Sequence, residues 1–193
     1  QVKKVVIRNT KLYVNREEGF IGTSLRRHEY VCDCSDIDDI IVFTENCSMM
    51  VTKVDSKVFI GKNIVHAAVF KKKDLRTIYN MVYKDGDKGI NFIKRFAVSG
   101  VTRDKLYKLS NSKKDSYVKY FSANPNGEAE KITINLRSNA KLKKLKWDVD
   151  FSDVIIKGRA SRGNIITKNT IKNIELKEKG LSTLKPRKIW FDD

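Results

Sequence analysis

The sequence predicts an all-β fold, a propeller-like array of about five four-stranded blades. The first observation is Ile78–Phe96, two strand-like arms rich in β-branched and aromatic residues around Asp85-Gly86. Glycine tolerates positive φ and aspartate bonds its own backbone, so the pair reads as the turn of a β-hairpin. The second is recurrence. Val5–Arg16, Ile40–Lys53, Tyr117–Lys131 and Val154–Lys168 share that layout, with turns expected at Asn9-Thr10, Glu45-Asn46, Asn124–Gly127 and Arg162-Gly163. Each hairpin carries a cation near its end: Arg16, Lys53, Lys94, Lys131 and Lys168, spaced by 37, 41, 37 and 37 residues. The gaps span 152 of 193 residues and leave 41, one further unit shared by two ends placed to meet. A period near 40 with hairpins inside it marks a propeller-like array. The third is a lack of competitors: no long amphipathic helical pattern, two prolines and no Gly/Ser linker. A single domain over residues 1–193 is expected, and Gln1 in place of Met suggests a piece of a longer chain.

Taken in order, the first unit runs from Val2 to about Asp36, with a glycine-punctuated loop at Arg16–Gly22 and a strand at Glu29–Cys34. The second runs to about Phe70, with Lys62, a strand at Ile64–Phe70 and the triplet Lys71-Lys72-Lys73. The third holds the Ile78–Phe96 hairpin and then Val98–Leu109 with Arg103. The fourth holds Tyr117–Asn135 and a basic stretch, Arg137–Lys146, too short to decide between helix and loop. The fifth holds Lys157-Gly158-Arg159, Ile171–Lys177 and a strand at Arg187–Phe191 expected to close the ring against the first unit.

Composition points to a partner. Forty Lys and Arg against 23 Asp and Glu give a net charge of +17. A folded domain with that excess along its whole length expects a polyanion, the plain alternative being a charged surface kept for solubility. Three cysteines without a framework spacing suit a reduced, cytoplasmic setting. No apolar run reaches the ~18 residues of a membrane span, so no membrane partner is expected.

Catalytic patterns are missing: no G-x-S-x-G, no P-loop, no G-x-G-x-x-G. Cys32-x-Cys34 lacks a second ligand pair for zinc, and Asp36, Asp38 and Asp39 read as a solvated loop, so neither a metal site nor a catalytic residue is expected. Side chains alternate along a strand, so the five hairpin cations should project alike and form a belt. Arg95, Arg103, Lys62, Lys157, Arg159 and Lys172 add to it. Such a belt neutralises phosphates without reading bases, which is what bending duplex DNA requires. An acidic protein or an RNA is the competing partner.

The chain resembles the C-terminal β-pinwheel of the A subunit of bacterial type IIA topoisomerases, gyrase and topoisomerase IV. Blades of that family repeat a strand ending in Lys-Arg or a variant; here stand Phe92-Ile93-Lys94-Arg95, Val51-Thr52-Lys53 and Ile166-Thr167-Lys168. Asp36–Phe43 and Ser122–Glu130 are also similar to A subunits. The resemblance implies a disc of five or six blades whose rim binds and bends the transported duplex. It implies a homodimeric, nucleoid-associated A subunit that cuts DNA through a tyrosine in a domain absent here. It also implies an ATP-binding partner B subunit, with Mg²⁺ and ATP needed by the holoenzyme and no cofactor here. Gyrase carries a Gln-Arg-Arg-Gly-Gly-Lys-Gly box in its first blade. The loop here is Arg16-Glu17-Glu18-Gly19-Phe20-Ile21-Gly22, which keeps two glycines but has charge −1 in place of +3. That degeneration favours topoisomerase IV over gyrase.

Overall fold

The structure, a computed structural model, describes residues 9–187. The strands are β1 (Thr10–Asn15), β2 (Phe20–Gly22), β3 (Glu29–Cys34), β4 (Asp39–Thr44), β5 (Ser48–Lys53), β6 (Val58–Phe59), β7 (Ile64–Phe70) and β8 (Ile78–Lys84). They continue as β9 (Asn91–Ala97), β10 (Tyr107–Lys108), β11 (Tyr117–Asn124), β12 (Glu128–Leu136), β13 (Lys146–Asp150), β14 (Ile156–Gly158), β15 (Asn164–Thr167) and β16 (Ile171–Ser182). A one-turn 3₁₀ segment, Phe151–Asp153, follows β13.

Among the described residues these strands build four blades, where about five were expected. Each is centred on a strand and the next strand of its hairpin: β1–β2, β4–β5, β8–β9 and β12–β13. The first strand of each pair also takes a later strand of its own unit: β3, β7, β11 and β16. The second strand is covered from the following unit. β6 reaches back to β2, β10 to β5, and β14 and β15 to β9. Every blade but the last is thus stitched to its successor by a donated strand.

The blades stack face to face. One core joins the first and second blades through Leu12, Val14, Ile21, Ile40, Val42 and Ile64. A second joins the second and third through Ile41, Phe43, Met49, Tyr79, Met81, Phe92 and Phe96. A third joins the third and fourth through Val82, Ile93, Ile132, Ile134, Phe151 and Ile171. Burial on both faces explains the sequence. β4 reads Asp-Ile-Ile-Val-Phe-Thr and is buried throughout, with Ile40 and Val42 serving one core and Ile41 and Phe43 the other. End-blade strands alternate instead: in β1, Leu12 and Val14 face inward while Lys11 is exposed.

The predicted hairpins at 40–53 and 78–96 are present, and the strands at 29–34 and 64–70 match residue for residue. Two others are corrected. β11 and β12 do not pair; Asn124–Gly127 is the crossing from the third blade to the fourth. β14 and β15 do not pair with each other; both dock on β9. The first strands begin at Thr10, Asp39, Ile78 and Glu128, spacings of 29, 39 and 50 residues, so the 37-residue rhythm of the cations is not the blade rhythm. Arg137–Lys146 is no helix but the wide hairpin turn of the fourth blade and the first residue of β13. Val5–Ile7 and residues 188–191, on which ring closure was expected to depend, lie outside the described residues.

Candidate nucleic-acid interface

The expected belt divides into three groups. Arg16 follows β1, while Lys62 and Lys168 lie in connecting segments and Lys172 near the start of β16; all four are at or near the hairpin-turn ends of the blades. Lys53 ends β5, Arg103 follows β9, and Lys157 and Arg159 lie at and just beyond β14, towards the opposite ends. Lys94, Arg95 and Lys131 are within strands. A single register shared by five cations is therefore not formed, because the five stand on different strands, at different points along a strand, or in connecting segments.

Lys94 and Arg95 are corrected outright: they are 2% and 1% exposed and cannot meet a phosphate. Alternation along β9 sends them to opposite faces. Lys94 enters the second-to-third-blade core, its Nζ 4.9 Å from the Phe96 ring centre. There Nζ donates to the carbonyl of Leu109 and to those of Arg159 at 2.7 Å and Ser161 at 3.0 Å. Burial pushes its pKa down to about 7. Arg95 turns to the fourth blade. Its Nε donates to Asn80 Oδ1 at 2.9 Å, Nη1 to Thr183 Oγ1 at 3.2 Å, and Nη2 to the carbonyls of Gly127 and Glu128 at 3.1 and 3.3 Å. Asn80 Nδ2 donates in turn to Glu130 Oε2 at 2.8 Å, and Tyr120 donates to Glu130 Oε1 at 3.0 Å. The Lys-Arg pair is a structural bolt holding three blades together.

Three further predicted residues are already paired. Arg16 grips Glu29 with Nε and Nη2, both at 2.7 Å, and its Nη1 donates to the Ile64 carbonyl. The Glu29 partnership raises the Arg16 pKa and lowers that of Glu29. Arg103 Nε lies 2.7 Å from Asp39 Oδ1, and Lys131 lies 3.4 Å from Glu178. Arg159 stacks on Tyr107 at 4.4 Å. Lys53, Lys62, Lys157, Lys168 and Lys172 are exposed. The structure adds the basic turn Arg137–Leu145, which the belt of hairpin-end cations leaves out; its signal in the sequence is a run of cations with no carboxylate.

The loop Arg16–Gly22 is the first-blade hairpin turn running into β2. Its two glycines have a packing reason. Gly19 sits at φ 83°, and a Cβ there would lie 2.2 Å from the Gly61 carbonyl oxygen. A Cβ on Gly22 would lie 2.1 Å from the oxygen of Ser56. Both glycines admit the strand donated by the second unit: the Gly19 carbonyl accepts from Ile60 N–H at 2.8 Å. Ile21 is 2% exposed in the first core, whereas Glu17 and Glu18 are both exposed.

Nothing in the described residues assembles a catalytic set. Burial raises the pKa of Tyr79, Tyr83 and Tyr120, which disfavours their phenolates. His66 is pushed down to about 4 by burial and by Arg16. Among the described residues, no three His, Cys, Asp or Glu are grouped to hold a metal ion, and no helix is long and apolar enough to cross a membrane.

Comparison with known proteins places this architecture. The family described as "Topoisomerase C-terminal domain, Bacteroidota" matches residues 11–179. The chain is 30% identical over 177 residues to the A subunit of DNA topoisomerase 4 from Borreliella burgdorferi (strain ATCC 35210 / DSM 4680 / CIP 102532 / B31), covering 91% of this chain and 26% of that one. It therefore spans about a quarter of that relative's length. Its fold is similar to the crystal structure of the C-terminal domain of DNA topoisomerase IV, with a TM-score of 0.52 at 10% identity over 92% of this chain and 64% of that one. The expected β-pinwheel is thus borne out as a fold, with four blades among the described residues. With a family match across most of its length, a relative at 30% identity and the same blade architecture, the chain belongs to the topoisomerase C-terminal domain family.

Proposed function

We propose that this chain is the non-catalytic DNA-binding and DNA-bending domain of a topoisomerase IV A subunit, and that it presents the transported duplex for double-strand passage. The observation that carries this reading is the net charge of +17 on a chain that folds as a stack of blades. Among the described residues, the ion pairs engage only Arg16, Arg103, Lys131 and Lys177. Most of the cationic surface is left for an external anion. The partner B subunit, ATP and Mg²⁺ belong to the proposed holoenzyme, whose work is cytoplasmic and on the nucleoid. Binding of the isolated chain to duplex DNA should weaken steeply with salt, log K falling by about 0.9 per tenfold rise in salt for each phosphate neutralised. A gel shift with two unrelated duplexes across a salt series checks this. Equal affinity for an acidic polypeptide, or a flat salt response, would overturn it. Glu17 and Glu18 stand where a wrapping clamp would need cations, and bending even a short site costs on the order of 1–6 kcal/mol. The holoenzyme should therefore relax and decatenate DNA; ATP-dependent negative supercoiling of relaxed plasmid would return the assignment to gyrase.

A further inference from the structure

The four hairpin turns run along one rim, and hydrogen bonds show their order. The segment 60–64 ties the first turn to the second: Ile64 N–H donates to the Arg16 carbonyl at 2.9 Å, and Glu45 N–H donates to the Asn63 carbonyl at 2.9 Å. The segment 109–118 ties the second to the third: Leu109 and Val118 donate to the Cys47 and Glu45 carbonyls, and Gly86 N–H donates to Ser116 Oγ. The segment 167–170 ties the third to the fourth: Asn91 Nδ2 donates to the Thr167 and Asn169 carbonyls, and Arg137 N–H donates to the Thr170 carbonyl.

The charge along this rim is sharply uneven. The first turn, residues 16–19, has one cation against two carboxylates, a formal charge of −1. The second, 45–47, has Glu45 alone, again −1, and the third, 85–90, has two aspartates against one lysine, again −1. The fourth, 137–145, has four cations and no carboxylate, +4. Each linking segment adds a net +1, so the difference lies in the turns.

That fourth turn is held in place. Leu136 N–H donates to the Leu145 carbonyl at 2.8 Å, Leu142 N–H to the Asn139 carbonyl at 2.9 Å, and Leu142 packs on the third core. Arg137, Lys141, Lys143 and Lys144 are all exposed, and none takes part in an ion pair among the described residues. Two clefts flank the turn: Arg137 and Lys168 line one, and Lys172 lines the other together with Glu175. A pinned turn presents its charges with less ordering entropy than a mobile tail would lose.

We infer that the fourth-blade turn, Arg137–Leu145 flanked by Lys168 and Lys172, is the principal phosphate anchor of this domain for duplex DNA. The anchor stands at the far end of the rim from the first-blade turn, where Glu17 and Glu18 repel phosphate. A duplex is therefore gripped at the fourth blade and leaves the rim, because the three preceding turns carry the wrong sign. This rests on the DNA-binding reading above.

The test compares two triple variants of the 193-residue chain that remove equal charge. Lys141→Ala/Lys143→Ala/Lys144→Ala strips the turn. Lys71→Ala/Lys72→Ala/Lys73→Ala strips the exposed triplet after β7, which lies at the opposite ends of the blades because Phe70 pairs with Asp39 at the start of β4. Thermal melts check that both fold. Fluorescence anisotropy with a labelled duplex of about 30 base pairs across a salt series should show affinity down about tenfold or more and a salt slope smaller by about 2–3 for the turn variant. The control should change by less than about threefold. Equal losses in both would reduce the effect to net charge and overturn the anchor, as would an unchanged turn variant. Wild-type chain that fails to bind duplex at all would instead overturn the DNA-binding reading itself.

Discussion

Replacing Arg95 by alanine should cost the domain about 4 kcal/mol, the range expected when a buried, hydrogen-bonded cation is removed from its partners. The side chain is 1% exposed and joins Asn80 of its own blade to the Gly127 and Glu128 carbonyls and Thr183 beside the fourth. Truncation strands the buried Asn80 Oδ1 and removes a cation that balances Glu130, while the Gly127 and Glu128 carbonyls keep donors in Thr183 N–H and Asn80 Nδ2. The loss falls on the third-to-fourth-blade junction, so the fourth blade should open first. Urea unfolding followed by hydrogen exchange checks both the size and the place. Arg95→Lys should recover only part of the loss, since an ammonium lacks the planar fork that reaches several acceptors at once. A cost under about 1 kcal/mol, the scale of a surface change, would show that the junction does not depend on this residue.

Lys94→Glu should unfold the domain, whereas Lys53→Glu and Lys168→Glu should leave its melting temperature nearly unchanged. The three are alike in sequence, each the second residue of a Thr-Lys or Ile-Lys pair. Yet Lys94 is 2% exposed and surrounded by three carbonyl oxygens, while Lys53 and Lys168 are exposed. A carboxylate at 94 would face acceptors only, a buried and unpaired charge that costs several kcal/mol. Circular dichroism melts of the three single variants decide it, and a soluble, cooperatively folding Lys94→Glu chain would sink the claim. Lys94 also carries a pH signature. Its folded pKa of about 7 lies below the ordinary 10.5, so between those values the unfolded chain holds more protons than the folded one. The contribution of Lys94 to stability therefore rises with pH between about 7 and 10.5 and is flat outside that window. Lys94→Met should lose that rise when compared with wild type from about pH 7 to about pH 9.

A cation flanked by apolar residues in a strand reads the same whether it faces water or a neighbouring blade. Phe-Ile-Lys-Arg and Val-Thr-Lys look like variants of one motif, but β9 is sandwiched and Lys53 ends its strand in solvent. The sign of the first-blade loop is legible in the sequence, since Glu17 and Glu18 stand there whatever the fold. The purpose of its glycines is not, because Gly61 and Ser56, which press on Gly19 and Gly22, arrive on a segment about 40 residues away. Evenly spaced cations point to five units only if spacing in sequence equals spacing in structure. Turn lengths vary from blade to blade, so equal chain lengths do not reach equal places.

By itself the sequence determined the all-β class, the two central hairpins, the excess positive charge and the negative sign of the first-blade loop. Those are local properties: alternation, turn chemistry and net charge act over a few residues or over the whole chain at once. Only the tertiary structure decided the number of blades among the described residues, the strands passed back between them, and which cations are buried bolts and which stand exposed. Those depend on which strand covers which edge and which face is sandwiched, and such contacts join residues about 40 to 90 positions apart. No pattern within one strand records what will be packed against it.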